Sequence, residues 1–150
     1  MLIYRICKAR YPALDGYGAY LYGGRWNSAG RAVVYAAVNR ALAALEFLTG
    51  VERHASLGPL LMVTVKLPDT ATIQKLRAEE LPENWQTYPA GSATKRIGDL
   101  WLEKAESLCL QIPSVLIPEE HNMLINPLHQ DFRHINIIES KPFVYDERLL

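Results

Sequence analysis

Three side chains in one short stretch have the types that chemistry on a charged, phosphorylated substrate calls for. They lie in GGRWNSAGRAVVYAAVNRALAALEFL, from Gly23 to Leu48. Arg25 follows a glycine pair, and its planar guanidinium donates two parallel hydrogen bonds, which suits a phosphate or a carboxylate. Tyr35, in the apolar run VVYAA, offers a flat face with one polar tip. Glu46 stands in AALEFL, where a carboxylate among Ala and Leu is costly to bury without a partner or a task. Each residue also has a plainer reading. Arg25 could be a surface arginine stacked on Trp26 or paired with an acid. Tyr35 could be a core tyrosine with its hydroxyl at the edge. Glu46 could be the partner of Arg25, Arg40 or Arg53.

Ser114 and Asn126 are further candidates. Ser114 follows Pro113 at a strand break, with no GxSxG elbow and no histidine at a motif spacing, so it reads as a positioning hydroxyl rather than a nucleophile. Asn126-Pro127-Leu128-His129 reads as a turn with its histidine in solvent. None of His54, His121, His129 and His134 has the spacing of a zinc ligand, so no metal is expected. Gly16-x-Gly18 lacks the third glycine and the strand–helix frame of a dinucleotide fingerprint.

The elements that must hold these residues follow from periodicity. Leu2 to Cys7 reads as a first strand, Lys8 to Gly24 as a Gly/Tyr-rich loop, Arg25 to Asn27 as a short strand, and Ala32 to Ala37 as a buried strand. Asn39 is an N-cap for a helix from Arg40 to Thr49, ending at Gly50. Ala41, Leu42, Leu45 and Leu48 give its buried face, with Glu46 at the border. Leu60 to Leu67 is a strong strand signal. Thr70 to Gln86 reads as loop with short helical turns, and Ala93 to Glu106 as an amphipathic helix. Leu108 to Ile112, Ser114 to Ile117, Met123 to Ile125 and His134 to Ile138 read as short strands. Irregularly spaced strands with two convincing helices predict an α+β domain rather than a doubly wound sheet.

The bulk properties bound the possibilities. With 150 residues the chain is expected to form one domain, 1–150, and 49% apolar against 21% charged residues is ordinary for a globular protein. Sixteen basic residues balance 16 acidic ones, which argues against direct nucleic-acid binding by bulk charge. Cys7 and Cys109 lie far apart in apolar runs and read as buried thiols. No apolar stretch suits a signal peptide or a membrane span, so a cytoplasmic protein is expected.

Taken together, the motifs resemble the RES-domain toxins of bacterial toxin–antitoxin pairs, whose name comes from an arginine, a glutamate and a serine. GGRWN supplies Arg25, ALEFL supplies Glu46 and IPSVL supplies Ser114; VVYAA, NPLH and the terminal FVYDERLL extend the resemblance over nearly the whole chain. Thr70 to Ser92 matches no pattern. The resemblance implies an ADP-ribosyltransferase-like fold of mostly antiparallel sheets flanked by helices. It implies NAD⁺ as substrate rather than as a resident cofactor, with glycohydrolase or phosphorylase cleavage at the nicotinamide–ribose bond. Glu46 would then stabilise the ribosyl cation, Arg25 would clamp phosphate, Tyr35 would stack on nicotinamide, and Ser114 would position the ribose or amide. Asn126 would hold a loop near the site, and Gly16 to Gly24 would lie over the dinucleotide. The implied partner is an Xre-type helix-turn-helix antitoxin, with the toxin either monomeric or a homodimer in the complex. The helix Ala93–Glu106 and FVYDERLL are the segments that could meet it. A protein ADP-ribosyltransferase and a non-catalytic antitoxin-binding module remain the alternatives.

Overall fold

The computed structural model describes residues 1–52 and 56–150, so Arg53 and His54 lie outside the described residues. Among the described residues, seven strands are gathered in one sheet: β1 (Leu2–Lys8), β2 (Val34–Ala37), β3 (Leu60–Lys66), β4 (Ile73–Lys75), β5 (Cys109–Pro113), β6 (His121–Ile125) and β7 (Asn136–Phe143). Their order is β4-β5-β6-β2-β1-β3-β7. Every pair is antiparallel except β4–β5, so the sheet is mixed and the fold α+β.

Strand alternation divides the core into layers. Ile3, Val34, Val63, Met123 and Ile125 lie on one face, where Leu14, Phe132 and Ile135 pack against them. The opposite face carries a cross-strand row in register, Tyr4–Ala37–Asn122–Ile112. Two helices divide that face between them. α2 (Arg40–Thr49) covers its β1–β3 side, packing Leu42 and Ala43 on Ala37 and Tyr4, and Ala44 and Phe47 on Ile6 and Met62. α3 (Ser92–Lys104) covers the β5–β6 side, where Trp101 joins Trp26 and Trp85 over Leu110, Ile112 and Leu124. Tyr35 on β2 and Asn122 on β6 lie on this face as well.

α2 has the bounds its sequence predicts. The Asn39 side chain accepts a hydrogen bond from the Leu42 amide at 2.8 Å and so satisfies one of the orphan donors of the first turn. α3 instead stops at Lys104, where Ala105 turns left-handed with φ 49°. Other expectations are corrected. The predicted loop Lys8–Gly24 contains a six-residue helix, α1 (Tyr17–Tyr22). Arg25–Asn27 is a tight turn closed by a Gly24–Asn27 bridge, not a strand. Ser114–Ile117 curls rather than extending. The polar His121 and Asn122 lengthen β6 ahead of its apolar run. β7 starts two residues later than predicted and runs on to Phe143; it tolerates Pro142 because it is an edge strand, where a missing N–H costs no ladder bond. The Thr70–Gln86 segment has the expected short helical turn, a 3₁₀ turn at Ala78–Glu80, and also carries the unexpected β4.

Candidate active site

Glu46 projects from α2, and its Oε1 accepts two hydrogen bonds, from Ser114 Oγ at 2.7 Å and from Asn122 Nδ2 at 2.6 Å. Ser114 sits at the end of β5 and is 0% exposed. Besides donating to Glu46, its oxygen accepts from the amides of Leu116 at 3.0 Å and Ile117 at 3.2 Å. A hydroxyl has one donor and two acceptor positions, so Ser114 has no capacity left for a ligand. In this arrangement its hydroxyl is engaged in orienting Glu46. The same two bonds explain why Ser114–Ile117 curls: a serine that captures amides two and three residues on competes with a strand ladder. The turn is tied to α2 as well, because Asn39 Nδ2 donates to Glu120 Oε2 at 2.8 Å.

Arg25 is held by a different segment. Its Nη1 donates to the Trp85 carbonyl at 2.9 Å and the Thr87 carbonyl at 2.8 Å, so it neither stacks on Trp26 nor pairs with an acid. The segment it holds reaches back to the Ser114 turn, where Gln86 Nε2 donates to the Val115 carbonyl at 3.3 Å. Burial pushes the Arg25 pKa below its usual value, while the negative charge of Glu46 opposes that shift. Glu46 therefore lies within electrostatic reach of Arg25, and the two form no ion pair.

Tyr35 supports the Arg25 turn from below. Its hydroxyl accepts from the Trp26 amide at 3.1 Å and donates to Asn27 Oδ1 at 2.7 Å. Desolvation, partly offset by the Trp26 bond, raises its pKa well above the ordinary tyrosine value, so it remains a neutral phenol. Its ring packs against the tryptophan cluster and is partly buried there. Asn27, 0% exposed, donates to the carbonyls of Ala19 and Arg31 at 2.9 and 3.0 Å. α3 clamps the turn from the side: Lys95 Nζ donates to the Gly24 carbonyl at 2.6 Å, and the Ser28 amide donates to Asp99 Oδ1 at 2.9 Å. Gly24 has no room for a side chain, since a Cβ there would lie 2.7 Å from the Tyr35 hydroxyl.

Asn126 is not part of this cluster. It lies at the far end of β6 from Asn122, about 13 Å along the strand at ~3.3 Å per residue. It is 1% exposed, donates to the Leu102 carbonyl and accepts from the Leu128 amide, so it locks a turn to α3. His129 is buried rather than solvated; its Nδ1 accepts from the Asp131 amide at 3.1 Å and caps a 3₁₀ turn. The Gly16–Gly24 segment presents Tyr17, Tyr20 and Tyr22 to solvent, with Tyr17 stacked on Tyr20. At the C-terminus Tyr145 is buried, and its hydroxyl donates to the Ala44 carbonyl on α2, so FVYDERLL is partly core. A separate depression of about 500 Å³ lies on the outer side of the Arg25 turn; Arg31, Lys95 and Arg96 line it together with Asp99 and Glu103, so its charges largely offset one another.

Sequence reasoning missed Asn122 and the two carbonyls that hold Arg25. Asn122 left one trace in the sequence, an asparagine heading the apolar run MLI, because asparagine is depleted in strands and a buried-strand position demands a reason for it.

The architecture is that of a small α+β protein with a braced carboxylate facing an arginine on one side of a mixed sheet. A chain of the Mycobacterium tuberculosis MbcT–MbcA toxin–antitoxin complex has this fold: TM-score 0.79 over 95% of this chain and 83% of that one, at 15% identity, a likeness of fold alone. The RES domain family model matches residues 2–146, and the chain belongs to that family. Among its relatives is a protein named Toxin Res from Yersinia enterocolitica, 39% identical over 99% of both chains. A Toxin Res from Photorhabdus laumondii is 35% identical over 100% of this chain and 97% of its own. A Prs ADP-ribosylating toxin from a Sphingobium strain is 39% identical over 91% of this chain and 86% of its own.

Proposed function

We propose that this chain is the toxin of a toxin–antitoxin pair and that it cleaves the nicotinamide–ribose bond of NAD⁺. The observation that carries the reading is the Glu46 carboxylate braced by Ser114 and Asn122, with Arg25 within reach of its charge. In such a cleavage the bond from ribose C1′ to the pyridinium nitrogen breaks, and its electron pair goes to the ring, so nicotinamide leaves neutral. The leaving group needs little help, and the barrier lies in the cationic sugar, which a nearby carboxylate stabilises. Water, or a phosphate oxygen, then bonds to C1′; with water one proton is released. Among the described residues, the Arg25 N–H groups other than Nη1 have no partner, which suits the pyrophosphate. The names of the relatives support the toxin reading, and with the MbcT–MbcA neighbour they support an antitoxin partner, of the Xre type on the sequence resemblance.

The test is incubation of the pure protein with NAD⁺, with and without phosphate, and identification of products by mass. Free nicotinamide with ADP-ribose or its phosphorylated form is expected, and Glu46→Gln is expected to slow the reaction at least 100-fold. Equal NAD⁺ consumption by this variant and the parent would remove Glu46 from the chemistry. The name of the Sphingobium relative favours a second reading, transfer of ADP-ribose to a protein. Labelled NAD⁺ separates the two: label retained on a macromolecule supports transfer, and label found only in small molecules supports cleavage. A chain that consumed no NAD⁺ yet bound an antitoxin would be the non-catalytic module.

A further inference from the structure

We infer that Asn122 is a positioning residue that locks the carboxylate torsion of Glu46, so that Oε2 rather than Oε1 meets the substrate. The inference rests on the reading of Glu46 as the group that faces the ribosyl cation. The last torsion of a glutamate is broad and nearly two-fold, so a lone carboxylate has no fixed acting oxygen. Here two donors from different strands converge on one oxygen, Ser114 from the end of β5 and Asn122 from β6. A carboxylate only accepts, so the Asn122 amide must turn its NH₂ end toward it. Asn122 is itself immobile: β6 is an interior strand, and Asn122 pairs with Ala37 on one side and Ile112 on the other. The start of α2 is fixed to the same region through Asn39 and Glu120. Both ends of the Glu46–Asn122 bond are thus held, and the bond transmits that rigidity to the acting oxygen. The row in which Asn122 stands is otherwise Tyr4, Ala37 and Ile112, a setting in which a polar amide costs stability unless it is hydrogen-bonded.

Two variants of similar volume test this. Asn122→Leu removes the donor without opening a cavity. Its kcat for NAD⁺ consumption should fall about 10- to 100-fold through misplacement of the carboxylate, with KM little changed. Asn122→Asp puts a second carboxylate against the first. Like charges resist ionising together, so the acid limb of the kcat–pH profile should move to higher pH. Arg25, whose field reaches Glu46, is present in every variant and does not cause the difference. Parental kcat in Asn122→Leu, or an unmoved acid limb in Asn122→Asp, overturns the inference. So does a kcat loss matched by an equal fall in thermal stability, because that marks a purely structural residue. Glu46→Gln, measured beside them, separates the two levels: if it consumes NAD⁺ at the parental rate the site reading itself fails, and if it is inactive while both Asn122 variants behave as parent, only this inference fails.

Discussion

Replacing Tyr35 by Phe removes one oxygen and leaves the ring in place, which makes it a sharp probe of how the Arg25 turn is held. The hydroxyl accepts from the Trp26 amide and donates to Asn27 Oδ1, and both residues are buried. Without it, one amide N–H and one amide oxygen lose their partner in a place water does not readily reach. Each such orphan costs about 1–3 kcal/mol, so a loss of about 2–4 kcal/mol is expected. The Nδ2 end of Asn27 keeps its carbonyl partners, which holds the figure near the lower half of the summed range. In a chain of this size each kcal/mol lowers the melting midpoint by about 2–4 °C, so the drop should be about 5–15 °C. Urea unfolding followed by tryptophan fluorescence measures it directly, since Trp26, Trp85 and Trp101 are all buried near the change. A loss below about 1 kcal/mol would show that the hydroxyl is not the brace described here. Because the phenyl ring remains, a large loss cannot be ascribed to stacking.

The packing of α3 predicts that Gly98→Ala yields no stable fold, or one weaker by more than about 4 kcal/mol, because the added Cβ would lie 1.6 Å from the Trp26 carbonyl oxygen. Gly18→Ala is the control: nothing lies within 4 Å of its Cβ, and a stability equal to or above the parent is expected. Burial pushes the Cys109 thiol up to about 12 from a reference of 9.0. The folded state therefore keeps this proton in a range where the unfolded chain has lost it, and the stability contributed is present below pH 9 and lost as pH rises toward 12. Cys109 contributes about 1.4 kcal/mol per pH unit to the slope read from urea midpoints at several alkaline pH values, and the buried phenols of Tyr35 and Tyr145, also raised by burial, add to the total. Cys109→Ala should flatten that slope, and an unchanged slope would refute the assignment.

What could be read in the sequence was what local signals determine. α2 was legible from Asn39 to Gly50 because its caps are properties of neighbouring residues, although its buried face turns on Leu42 and Ala43 while the predicted Ala41 and Leu45 are exposed; Arg25 and Glu46 were singled out by residue type. α1 was missed because a segment rich in glycine and tyrosine has weak intrinsic helicity. Ser114 was identified by type, but its service to Glu46 depends on α2 lying over the end of β5. Asn122 acquires meaning only through its register with Ala37 and Ile112, from residues about 85 and 10 positions away in the sequence. The predicted strand Ser114–Ile117 failed because one hydroxyl claimed two amides that the apolar pattern had assigned to a ladder.

The anchor of Arg25 has an evolutionary corollary. Its two acceptors are main-chain oxygens of Trp85 and Thr87, and every amino acid supplies that atom. Drift in side-chain identity at Thr87 therefore leaves the latch intact, whereas deleting a single residue between the two acceptors would pull one of them out of reach. A segment's side chains can thus vary while the latch depends only on its length and path, which makes the Thr70 to Ser92 stretch hard to read from residue types alone.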